Sequence, residues 1–197
     1  MREPLPLATI HGALLEFLRR REDAVLFGAH AVNAYVEEPR MTQDVDILST
    51  RAAELAEEVR SHLAKVFNIA VRVRVVAAGK GFRIFQLRQP KNRHLVDVRH
   101  VATLPPHQRV LEISVPIVEE LIAQKIMSYS SRHEKPKGDT DRRDLKVLLL
   151  AYPQLKSESG AVADRLREDG ADDRAMNEWR RLVASTILAE DEDADGY

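Results

Sequence analysis

Cysteine is absent from the 197 residues, which excludes a disulfide framework, a thiolate metal site and a cysteine nucleophile. Any metal is left to oxygen or imidazole ligands, and carboxylates favour Mg²⁺ or Mn²⁺. Long apolar runs are missing as well. None approaches the roughly 18 residues that cross a bilayer, so no membrane partner is expected. The opening residues Met1-Arg2-Glu3-Pro4 lack the apolar stretch of a signal peptide, and the expected location is cytoplasmic. Nor is there an excess of charge of one sign: charged residues make up 31% of the chain, yet they cancel to a formal −1. Global charge therefore advertises no nucleic-acid binder, although a local basic face stays open.

What is present suits a packed domain. A hydrophobic content of 44% can bury a core in a chain of this size. Ile10, Leu14, Leu15 and Leu18 recur at helical spacing and predict an amphipathic helix over residues 7–21. Residues 24–27 read as a buried strand running into a tight turn at Gly28. A short helix follows over 29–36, then a strand over 45–48 and a helix over 51–66. Alternating valine and arginine over 69–76, and a similar run over 82–87, predict a hairpin around Gly79 and Gly81. A further strand covers 94–98. Beyond Pro105-Pro106 the pattern turns helical, with helices over 117–130, 141–150 and 172–189 and a polar loop over 132–139. Strands first and helices later predict an α+β architecture, a small mixed sheet with flanking helices plus a C-terminal helical region. The expected division is a core over 1–110, a helical region over 111–190 and an acidic, fraying tail over 191–197.

Three features carry chemistry. Gly28 ends a strand and opens a helix, which leaves backbone N–H groups free for phosphate oxygens or marks a simple turn. Asp44 and Asp46 stand two apart where a strand begins, so their side chains share a face. Two such carboxylates need either a cation between them or an edge open to water. Asp97 interrupts the apolar run Leu95-Val96-Val98, where an acid is costly unless paired or coordinated. If its strand lies beside the one bearing Asp44 and Asp46, three carboxylates converge.

The stretch Phe27-Gly28-Ala29-His30-Ala31-Val32-Asn33-Ala34-Tyr35, followed by Arg40-Met41-Thr42-Gln43-Asp44-Val45-Asp46-Ile47-Leu48, resembles the signature of nucleotidyltransferases of the DNA-polymerase-beta type. Within that superfamily it is most similar to the AbiEii-type toxins. Ala29 departs from the pattern, since Gly or Ser is usual there; alanine keeps the N–H and supplies no hydroxyl. The segment Pro116 to Lys125, then Arg132 and Asp141-Arg142-Arg143-Asp144-Leu145, is similar to the helical part of that family. The likeness covers about residues 24–150.

That resemblance implies transfer of an NMP group from an NTP to an acceptor hydroxyl, with RNA such as tRNA as acceptor and a cognate antitoxin as partner. It gives Asp44, Asp46 and Asp97 to Mg²⁺ or Mn²⁺ in a two-metal site, with Asp97 as ligand, base or both. Gly28 and Ala29 would hold phosphates, and Lys125 would meet the triphosphate as a mobile cation. Asp141 and Asp144 either orient Lys125 or cap a helix starting near Thr140. Thr42 can fix the turn; Arg40 can reach a phosphate or pair with an acid; His30 is either beside the nucleotide or a packing residue. The ladder Arg72, Arg74, Arg83 and Arg88 reads as a solvated face or as a basic face for RNA. Two other readings compete: a binding module that lost turnover, and an enzyme acting on small molecules.

Overall fold

A computed structural model describes residues 5–189 of the chain. They fall into two compact units that divide between Ile117 and Val118. The expected acidic tail over 191–197 lies outside the described residues.

The first unit opens with α1 (Leu7–Leu18), whose Ile10, Leu14 and Leu18 form one fully buried stripe at i, i+4 and i+8. After β1 (Ala24–Phe27) the chain turns at Gly28 into the short α2 (Gly28–Asn33). Next come β2 (Val45–Ser49) and α3 (Ala52–Phe67), which buries Leu55, Val59 and Leu63 and ends at Asn68 in the left-handed region. Then follow β3 (Val71–Val76), β4 (Gly81–Gln86) and β5 (Arg93–His100), with β3 and β4 forming the expected antiparallel hairpin. The five strands make one mixed sheet in the order β1-β2-β5-β4-β3, in which only β2 and β5 run parallel. Alternation sends Val45, Ile47, Ile84, Val96 and Val98 to one face, where they join α1 and α3 in the core. The expected mixed sheet with flanking helices is what the chain forms.

A hairpin not foreseen in the sequence, β6 (His107–Val110) and β7 (Ile113–Pro116), closes the first unit. Its two turn residues, Leu111 and Glu112, have φ of 49° and 66°, which a tight hairpin usually assigns to Asn or Gly. Without either residue the turn carries no signal. Glu112 is held from outside: Arg20 donates its backbone N–H to the Glu112 carbonyl at 2.9 Å and its Nε to the carboxylate at 2.8 Å.

The second unit comprises α4 (Val118–Arg132), α5 (Pro136–Ala151), α6 (Ala161–Glu168) and α7 (Asp173–Ala184), with α4 packed on the other three. Its core includes Leu121, Ile122, Ile126, Leu145, Leu148 and the fully buried Trp179. Asp172 caps α7 by accepting the Ala175 N–H at 2.8 Å. The expected loop over 132–139 is corrected here, because α5 begins at Pro136, a first-turn position that proline suits. Gly138, read as a loop marker, serves close packing: a Cβ there would lie 2.4 Å from the Arg132 carbonyl oxygen. Among the described residues no helix is long and apolar enough to cross a membrane.

Candidate active site

Gly28 links the strand-to-helix turn directly to the acid pair. Its φ is +68°, and a Cβ at that position would meet Asp46 Oδ2 at 2.4 Å. Glycine is thus demanded twice, by backbone conformation and by the carboxylate above it. Ala29 follows as a buried residue of α2. Asn33, at the end of α2, donates Nδ2 to the Arg40 carbonyl at 2.8 Å and accepts the Arg40 N–H at 3.1 Å. Thr42 donates its hydroxyl to the Asp44 carbonyl at 3.1 Å. These bonds fasten the connection from α2 to β2 just ahead of the acids.

Strand register does the rest. Asp46 on β2 is the direct partner of Asp97 on β5, with Phe27 on one side of the row and Arg83 on the other. Directly paired residues project to one face of a sheet, so both carboxylates stand on the face opposite the core. Arg99 Nη2 lies 3.8 Å from Asp46 Oδ1, with its guanidinium over the Phe27 ring at 5.0 Å. Arg83 donates Nε to Asp97 Oδ1 at 3.0 Å.

His94 is the site residue that sequence reasoning missed. Simple alternation places residue 94 on the core face, opposite Asp97. A bulge intervenes, since Ile84 pairs with Val96 but Phe85 pairs with His94, leaving Leu95 as the extra residue. The bulge turns His94 to the acid-bearing face. There its Nδ1 lies 3.1 Å from Asp44 Oδ2 and its Nε2 lies 3.4 Å from Asp97 Oδ1. The hydrogen bond to Asp44, then the pull of Asp97, raises the imidazole pKa to about 9. Burial by itself would raise the Asp97 carboxyl pKa, but His94 and Arg83 outweigh it and hold it below the usual range.

Asp44, His94 and Asp97 offer donor atoms all within 4.8 Å of one another. Two carboxylates and one imidazole fit a divalent cation, and the longer of the two His94 contacts, Nε2 to Asp97 at 3.4 Å, is the one a cation would replace. Asp46 stands outside that group of three, next to it through its pairing with Asp97.

His30 packs edge-on against His11, ring centroids 5.0 Å apart. Burial lowers both pKa values, that of His30 to about 4, and the Nε2 atoms of both rings are buried without a partner. His30 is therefore a neutral, half-buried ring.

In the second unit Lys125 is buried, with Nζ 2.6 Å from Asp144 Oδ2 and 3.2 Å from Asp141 Oδ1. Arg132 Nε donates to the other Asp141 oxygen at 2.7 Å. The ammonium is thus tethered rather than mobile. Asp141, inside α5 instead of at its start, caps nothing; it joins α5 to α4.

No family model matches the sequence, and no curated protein matches it. Solved structures do resemble it. The Megavirus polyadenylate synthase aligns with a TM-score of 0.59 and 13% identity over 75% of this chain, which spans 32% of the length of that protein. JHP933 from Helicobacter pylori aligns with a TM-score of 0.58 and 13% identity over 89% of this chain and 88% of its own. An antigenic nucleotidyltransferase-like protein from Paracoccidioides brasiliensis aligns with a TM-score of 0.50 and 17% identity, over 93% of this chain and 94% of its own. At these identities the likeness is one of fold, and the fold is that of the nucleotidyltransferases.

Proposed function

We propose that the protein is a metal-dependent nucleotidyltransferase that moves an NMP group from an NTP to an acceptor hydroxyl. The acceptor is RNA such as tRNA, and the setting is that of an AbiEii-like toxin with a cognate antitoxin. The observation that supports this most is the pairing of Asp46 with Asp97 on adjacent parallel strands, with Asp44 and His94 beside them.

Asp44, His94 and Asp97 would hold a divalent cation, Mg²⁺ or Mn²⁺, with Asp46 alongside. When bound, such an ion neutralises phosphate charge and lowers the pKa of a coordinated hydroxyl. The chain's own groups then have separate tasks. Gly28, lacking a side chain, lets phosphate oxygens approach the N–H groups of residues 28 and 29. Ala29 supplies main chain only. Asp97, kept ionised, can accept the proton of an acceptor hydroxyl, and its bond to Arg83 fixes the oxygen that remains. Arg40, on the loop that Asn33 fastens, would reach a phosphate. The resemblance gives Lys125 to the triphosphate. As its charge is neutralised by Asp144 and Asp141, that contact requires release from Asp141, the longer of the two bonds.

The test is incubation with each radiolabelled NTP, Mg²⁺ or Mn²⁺ and total cellular RNA. A labelled RNA product is expected, reduced at least 10²-fold or so in Asp46→Ala and Asp97→Ala, as for loss of a transition-state charge partner. Full turnover in either variant sinks the metal assignment. NTP binding by calorimetry with no labelled product points instead to a binding module, the reading that Ala29 favours.

A further inference from the structure

The acid-bearing face of the sheet continues beyond Asp97. Register carries the row Asp46–Asp97–Arg83 on to Arg74 of β3, and the neighbouring row runs from His94 through Phe85 to Arg72. Arg72, Arg74, Arg83 and Phe85 therefore project on the side of the acids, away from the core. With strands about 4.8 Å apart, Arg74 stands about 14 Å from Asp46. Arg72 and Arg74 are exposed, and neither has a hydrogen-bond or ion-pair partner among the described residues. Arg83 is half exposed despite its bond to Asp97. The Phe85 ring is half-buried, 5.0 Å from that of His94. Arg88 lies beyond the end of β4, where its Nε bonds the Lys91 carbonyl at 3.2 Å, and does not belong to this face.

We propose that this face seats the acceptor as a single-stranded polynucleotide. Its phosphates run along Arg72, Arg74 and Arg83, a base lies near Phe85, and its terminal hydroxyl reaches Asp97. The inference rests on the nucleotidyl-transfer reading and adds the surface that selects the acceptor. Protection of an edge strand explains a charge of either sign on β3. It does not explain why both charges are positive and both lie on the acid-bearing face. An NTP at Asp44 and Asp97 has no use for guanidinium groups that far along the sheet, whereas a chain of phosphates does. Arginine beside an aromatic ring is the recurrent pairing for unpaired strands, combining phosphate attraction with stacking. The three acids on the same face disfavour a flat anionic membrane or an acidic protein, which would have to cover them.

The test is fluorescence anisotropy of a short labelled RNA single strand, titrated with the full chain in EDTA and without NTP. The variant is Arg72→Gln/Arg74→Gln. Its control is Lys65→Glu, which makes the same change in net charge at an exposed position of α3, the helix packed on the opposite face. At about 0.1 M salt the double variant should bind roughly tenfold more weakly, and its slope of log K against log salt should fall by about 1.4, or 0.7 per lost phosphate contact. The control should keep wild-type affinity and slope. Equal losses in both, no loss in the double variant, or a preference for duplex or for anionic vesicles over the single strand would overturn the proposal. The measurement needs neither metal nor turnover. Transfer activity with an RNA affinity indifferent to Arg72 and Arg74 defeats this inference alone; strip-dependent binding with no transfer to any hydroxyl defeats the nucleotidyl-transfer reading alone.

Discussion

His94, held between Asp44 and Asp97, titrates at about 9, whereas His30, buried against His11, titrates at about 4. Both start from an unperturbed value near 6.5. The raised pKa of His94 means that its contribution to stability is complete below pH 6.5 or so and is lost as pH climbs towards 9. At most it is worth roughly 3–4 kcal/mol, since one pKa unit is about 1.4 kcal/mol. His30 acts with the opposite sign. Its folded-state pKa is depressed, so the unfolded chain takes up the proton first, and stability falls as pH drops from about 6.5 to 4. Together the two predict greatest stability near pH 6.5, read from urea midpoints across pH. His94→Gln should flatten the alkaline limb and His30→Gln the acidic one; an alkaline limb unchanged in His94→Gln would refute the bridging role. A bound divalent ion should compete with the His94 proton, lower its folded-state pKa towards the unfolded value and so flatten that limb.

At the scale of elements, α4 and α5 are joined by charges rather than by apolar contact alone. Lys125, Asp141 and Asp144 are all buried, and Arg132 completes the group. Removing one member of a buried network strands the others, at a typical cost of about 3–5 kcal/mol. Lys125→Met is therefore expected to destabilise the helical unit by about that much, measured as a lowered chemical midpoint of Trp179 fluorescence. Unchanged stability would mean that the carboxylates are satisfied without the lysine. The same elements show what a sequence discloses. Strands β1 to β5 were legible because their apolar residues alternate or run together between turns. Besides α6 (Ala161–Glu168), which was not expected, three things were hidden for a physical reason that the structure shows. The β6–β7 hairpin turns on Leu111 and Glu112, which lack turn chemistry and depend on Arg20. The start of α5 was masked by Pro136 and Gly138, one a first-turn proline and the other a packing glycine. His94 was hidden by the bulge at Leu95, because a one-residue insertion reverses which face a side chain takes. Asp44, Asp46 and Asp97 stood out instead because acids next to or within apolar strands are rare.

For the molecule as a whole, near-neutrality conceals segregation. A formal charge of −1 coexists with a sheet face on which acids and arginines occupy adjacent strands. A cation held by Asp44, His94 and Asp97 takes its ligands from the first unit. Mn²⁺ at a hundredfold excess over its dissociation constant should stabilise what it binds by about 2.7 kcal/mol. Hydrogen exchange is expected to slow in β2 and β5, to stay unchanged in α4 to α7, and to lose the effect in Asp97→Asn. Equal protection in that variant would place the ion elsewhere. The complementary probe is built in. Trp179 is the single tryptophan of the chain, fully buried in the second unit, with its indole N–H unbonded among the described residues. Red-edge excitation therefore lights one half of the protein and leaves the half bearing the acids dark. A change in emission colour on adding nucleotide or oligonucleotide is optical news from the helices, obtained without a label.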